Sequence, residues 1–194
     1  MAGIFCVLYA SLMALPAPFA AVHLLFINLL TDSLPAIAIG MEPAGSDLLN
    51  RKPRDPKEPL LSGDLVKRIG LQGLLIAVPV MTAFYLGYQT GTAEAMTMAF
   101  ATLTLARLFH GFNCKAAEPV LFTRRFWNNK PLLGAFLVGA LLLSAVLVIP
   151  PLEELMQAVA LPWQLGLAIP ALAVGSMVVI QLLKAIRVRL RKAS

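Results

Sequence analysis

The sequence predicts an all-α membrane protein, a bundle of six transmembrane helices with the first one truncated, and three observations lead there. Of 194 residues, 59% are apolar and 13% are charged, about half the charged share of an ordinary soluble domain. The apolar residues come in runs near the roughly 20-residue length that carries a helix across a hydrocarbon core of about 30 Å. The charged residues fall almost entirely between those runs.

Taken in order, full spans are expected at 19–41, 65–88, 95–114, 131–150 and 162–186. Residues 2–15, AGIFCVLYASLMAL, are as apolar but shorter, a length typical of a partial span or a signal-peptide core. A secretory signal needs a basic opening and a cleavage site, and no Lys or Arg precedes Arg51. The segment therefore reads as the outer half of a helix whose beginning lies upstream. No internal repeat or low-complexity tract interrupts the series, so residues 1–194 form one membrane domain in this reading.

Orientation follows from the basic residues. They gather between the second and third helices (Arg51 to Arg68), between the fourth and fifth (Lys115 to Lys130) and at the C-terminus, whereas the segments 16–18, 89–94 and 151–161 contain none. The positive-inside rule makes the basic loops and the C-terminus cytoplasmic. Of the 16 Lys and Arg residues, only Arg107 breaks the pattern, lying inside the helix expected at 95–114. A net charge of +6 spread in this way lacks the continuous basic face of a nucleic-acid binder, so no nucleic-acid partner is expected.

Within the loop 42–64, Pro43, Pro53, Pro56 and Pro59 exclude a regular helix and favour an extended, semi-rigid strap, either a plain linker or a docking strap for another domain. Phe122, Phe126 and Trp127 in FTRRFWNNK suit anchoring at the membrane interface. The outer segment 150–162 has room for one or two amphipathic turns. Cys6 and Cys114 show no metal-ligand spacing, and the methionines suit packing.

The chemistry concentrates in FINLLTDSLPAIAIGMEP, residues 26–43. Asn28, Thr31 and Asp32 stand at i, i+3 and i+4, so on an α-helix three oxygen-bearing side chains share one face. At 1.5 Å per residue, Asp32 lies roughly 13 Å deep from Met41. A carboxyl group at that depth costs a few kcal/mol and usually marks an ion or proton path. Pro35 cannot donate to the carbonyl of Thr31, and a freed carbonyl beside a carboxylate suits a hard cation such as Ca2+. Hydrogen bonding between helices also accounts for Asn28 and Thr31, but not for an intramembrane carboxylate beside a proline. His23 and His110 are either proton relays or, the commoner role, hydrogen-bonded ties to neighbouring helices.

NLLTDSLPAIAIGMEP, followed by LLNRKPRDPKEPLLSG, closely resembles the sixth helix and following cytoplasmic loop of P-type ATPases of the calcium-pump class. The helix count, spacing and orientation fit that family's last six helices. The resemblance implies that Asn28, Thr31 and Asp32 are metal ligands, and that Ca2+ is the transported ion, with Mn2+ or another cation as alternatives. Two departures imply a single ion site. The place of the carboxylate that two-calcium members carry in their fifth helix falls at Gly3, and that of an eighth-helix carboxylate falls near Arg107. At roughly 12 Å from the helix end at Lys115, Arg107 is expected to face inward and approach Asp32 as an internal cation, the alternative being that it snorkels to the surface.

Neither the family's phosphorylation motif, Asp-Lys-Thr-Gly-Thr, nor a phosphate-binding loop occurs. ATP and Mg2+ thus enter only through missing domains, and the expected partners are the lipid bilayer, in the plasma membrane, and the N-terminal portion of the pump. Two competing functions remain. A membrane scaffold or regulator that retains the fold gains nothing from an intramembrane carboxylate. A secondary transporter of two similar halves would show paired broken helices, and none is found.

Overall fold

A computed structural model describes residues 1–42, 61–116, 118–121 and 123–193, excepting the side chains of Leu30, Thr31 and residues 191–193. The proline-rich strap of the loop 42–64 and Phe122 thus lie largely or wholly outside the described residues. No strand occurs among those described.

The chain opens with α1 (Ala2–Leu12), three residues shorter than expected. Pro16 and Pro18 close the helical route, and the helix ends in a Schellman turn: Leu15 N donates to Ala10 O (2.9 Å) and Ala14 N to Ser11 O (3.3 Å). Ala14 takes the left-handed position at φ 52°, where glycine is the usual occupant.

The next expected span is one helical path in three parts, α2 (Ala21–Phe26), a π-helical segment (Ile27–Asp32) and α3 (Ser33–Gly40). Next come α4 (Gly63–Tyr88), α5 (Thr92–Cys114), the single turn α6 (Arg124–Trp127), α7 (Lys130–Val148), α8 (Pro150–Leu155) and α9 (Trp163–Ala193). Side-chain caps set two of the starts. Ser62 Oγ accepts from Leu65 N at 3.4 Å, and Asn129 Oδ1 accepts from Leu132 N at 2.8 Å. The α9 helix outruns its expected end at 186 because KAIRVRLRKA contains good helix formers and no breaker.

Among the described residues, four paths are long and apolar enough to cross a membrane: Ala21–Gly40, Gly63–Tyr88, Lys130–Val148 and Trp163–Leu190. The two remaining expected spans fall outside that set. The α1 helix has 11 residues, and α5, with 23, carries buried Thr97, Thr102, Thr104 and Asn113 together with Arg107 and His110. An all-apolar surface is unnecessary for α5, because it packs against α4, α7, α9 and the π-helical segment, so protein covers it. Its own Met98, Phe100 and Leu103 are fully buried, as is Phe84 of α4.

Small residues bring the helices close where hydrophobic burial alone gives no driving force. A Cβ on Gly73 of α4 would lie 2.8 Å from Met1 Cβ and 3.1 Å from a Phe5 ring carbon, so α1 packs directly on that glycine. Gly139 of α7 leaves the space that Leu108 of α5 fills, where a Cβ would come within 2.6 Å. At one end of the bundle, His23 Nδ1 accepts from Ala20 N (3.2 Å) and its Nε2–H donates to Met156 O (2.6 Å), while the ring stacks on Phe100 at 4.3 Å. His23 is therefore a tie between elements. The opposite end carries the basic segments.

Candidate functional site

The π-helical segment is the structural peculiarity of the site. Its i→i+5 hydrogen bonding widens the turn, a local form found most often at functional sites. Asn28, Thr31 and Asp32 all belong to it, so the backbone beneath their i, i+3, i+4 spacing is π-helical and not the α-helix that spacing assumes. The expected disturbance thus lies upstream of Pro35, in the turns before it. The Ser33 hydroxyl donates to Asn28 O at 3.1 Å, so that carbonyl is partly engaged already. The side chain of Asn28 is exposed; the side chain of Thr31 lies outside the description.

Asp32 ends the segment, and its Oδ2 accepts from Arg107 Nη1 of α5 in an ion pair. The inward orientation expected for Arg107 is therefore present, and the snorkelling alternative is not. Arg107 is 20% exposed and Asp32 46%. One carboxylate oxygen is committed to the guanidinium, and Oδ1 has no partner among the described residues.

The pair borders a half-open cavity of about 530 Å³ lined by α1, α4, α5 and α9. Its polar wall includes Arg68, Gln72, His110, Asn113 and Lys184, and Asp32 is the acidic residue on it. Two buried atoms there have no partner among the described residues, His110 Nδ1 and Asn113 Nδ2. His110, unlike His23, is thus not accounted for as a tie through that nitrogen. Gln72 and Asn113 drew no attention in the sequence, because isolated amides in apolar helices usually serve helix packing.

No cluster of three or more His, Cys, Asp or Glu residues occurs among the described residues. Ca2+ takes six to eight oxygen ligands. Asn28 and Asp32 supply fewer, so a complete shell needs oxygens from backbone, water or a further protein segment.

A second polar group lies towards the basic end. Gln181 of α9 accepts from Val120 N (2.8 Å) and donates to Asn113 Oδ1 (2.6 Å). Lys184 donates to the carbonyls of Asn113 and Ala116, closing the end of α5. Beside them, Asn129 Nδ2 donates to Ala38 O (2.8 Å) and Glu42 Oε2 (2.7 Å), while Lys115 lies 3.5 Å from Glu42 Oε1 and donates to Arg125 O.

Residues 16–186 match the family described as "Cation transporting ATPase, C-terminus". A calcium-transporting ATPase of Bacillus subtilis is 39% identical over 175 residues, covering 87% of this chain and 20% of the relative. A calcium-transporting ATPase of Listeria monocytogenes is 35% identical over 191 residues, covering 96% of this chain and 21% of the relative. The rat calcium-transporting ATPase type 2C member 2 is 30% identical over 146 residues, covering 74% and 16%. This chain therefore spans about a fifth of the length of the curated relatives it matches.

Proposed function

This chain belongs to the family of cation-transporting ATPase C-terminal regions, and we propose from that premise that it forms part of the ion path of an ATP-driven Ca2+ pump. Asn28, Thr31 and Asp32 contribute ligands from the π-helical segment. The observation that carries this reading is the Asp32 carboxylate, placed at the end of a widened helical turn with one oxygen uncommitted and a polar cavity beside it. An ionisable pair inside a bundle is costly, and it is retained chiefly where an ion or proton must pass.

Arg107 sets the number of ions. Two unit charges at 4 Å interact with about 4 kcal/mol at an effective dielectric of 20, so a second divalent ion beside the guanidinium would meet repulsion on the order of 8 kcal/mol. The pump is therefore a single-site one, with Arg107 occupying the place of a second metal. Another divalent cation such as Mn2+ would use the same oxygens. ATP and Mg2+ act on an upstream portion that also supplies the remaining ligands. The basic loops lie on the cytoplasmic side of a plasma membrane, following the positive-inside rule.

The test joins this chain to the upstream region of its pump in proteoliposomes. Asp32→Asn should abolish Ca2+-stimulated ATP hydrolysis, whereas Arg124→Gln, on an exposed turn away from the site, should leave it unchanged. Calcium dependence near normal in Asp32→Asn would place the site elsewhere.

A further inference from the structure

A second cavity, of about 500 Å³, opens between α4 and α9 at the basic end of the bundle. Arg68, Leu71, Gln72 and Leu75 line it from α4, and their spacing of i, i+3, i+4 and i+7 is one helical face. Ile180, Leu183, Lys184 and Arg187 line it from α9 with the same spacing. The two helices run in opposite directions, so the polarity gradients coincide. Arg68 and Arg187 stand at the outer rim, and Leu75 and Ile180 lie a turn or two deeper.

Among the described residues no free carboxylate compensates the charges at the rim. Glu118 is the acidic residue on the wall, and its carboxylate is paired with Arg125 at 3.2 Å. Neither Arg68 nor Arg187 has a carboxylate partner among the described residues, and both are exposed. Lys184 spends two donors on the carbonyls at the end of α5, which neutralise none of its charge. Three cations thus face a cleft whose deeper half is leucine and isoleucine.

We propose that this cleft binds one anionic phospholipid, with its phosphate between Arg68, Lys184 and Arg187 and an acyl chain along Leu71, Leu75, Ile180 and Leu183. Basic pockets between transmembrane helices at the headgroup level recognise acidic lipid heads in this way. A soluble phosphate would satisfy the rim and leave the apolar depth empty. A zwitterionic lipid would fill the depth but bring its own cation to the rim. The match of charge above and hydrocarbon below selects a lipid with net negative charge.

The proposal is tested on the purified full chain by native mass spectrometry after exchange into mixed micelles of detergent with phosphatidylglycerol or phosphatidylcholine. One phosphatidylglycerol should remain bound, and phosphatidylcholine should not. Arg68→Gln/Arg187→Gln should lower that occupancy by about tenfold or more, whereas Arg124→Gln/Arg189→Gln, exposed cations off the cleft, should retain it. Leu71→Trp keeps every charge and fills the groove, and it should also displace the lipid. Circular dichroism and a monodisperse elution profile establish that each variant is folded. Equal loss in both charge pairs, retention in Arg68→Gln/Arg187→Gln or in Leu71→Trp, or displacement by millimolar inorganic phosphate would overturn the proposal.

Discussion

Two polar regions share α5 and are built on opposite plans. Towards the basic end, Asn113, Gln181, Lys184, Lys115, Asn129 and Glu42 are knitted to one another and to backbone groups of α3, α5, α7 and the 115–129 connection. The Lys115 side chain is fully buried there. About a turn or two further in, Arg107 meets Asp32 in a single ion pair whose carboxylate stays 46% exposed, on a helix whose turn is already widened. Buried hydrogen-bonded networks rigidify a fold, and of the amides here Asn113 Nδ2 is the donor left without a partner among the described residues. A half-open pair on a π-helical turn leaves a carboxylate oxygen without a partner among the described residues, so the first region ties helices together and the second is where the proposed ion site falls.

If that contrast is right, breaking the knitted region should cost the most stability. Gln181→Leu strands Val120 N–H and the Asn113 amide in a buried setting, and the loss should be about 2–4 kcal/mol in denaturant unfolding of the chain in micelles. A loss below about 0.5 kcal/mol would show that the network is not structural. Next comes the packing of α7 on α5: Gly139→Ala forces a methyl to within 2.6 Å of Leu108, and thermal unfolding should register about 1–3 kcal/mol. Asp32→Asn should cost the isolated chain only about 1 kcal/mol in the same unfolding assay, because the pair is partly solvated. An effect as large as that of Gln181→Leu would erase the distinction between the two regions. The smallest change is a gain, since Ala14→Gly relieves the left-handed strain at φ 52° and should stabilise α1 by up to about 1 kcal/mol.

The two regions also differ in how far they could be read from sequence. Asp32, Arg107 and their mutual approach were legible, because a charge inside an apolar run declares itself and two such charges at similar depth seek each other. The all-helical, apolar character was legible from hydropathy, whereas local chemistry set particular ends, as at the Schellman turn after α1 and the uninterrupted tail of α9. The π-helical turn was not, because a local change from i→i+4 to i→i+5 bonding alters no composition, and Pro35 signalled a disturbance without its form. The knitted region was hidden for another reason. Its partners are 61 to 91 residues apart in sequence, so Gln181, Asn113 and Asn129 acquire their roles only once the helices pack. The burial of α5, which permits it to carry Thr97, Thr102, Thr104, Arg107, His110 and Asn113, is likewise a tertiary fact.

The central claim is that Asp32 holds a single transported cation while Arg107 excludes a second. Its most direct measurement is the stoichiometry of radioactive Ca2+ bound at equilibrium by the pump assembled from this chain and its upstream region. The account predicts one Ca2+ per pump in the unaltered protein and none in Asp32→Asn. Two ions per pump, or one retained in Asp32→Asn, would contradict it.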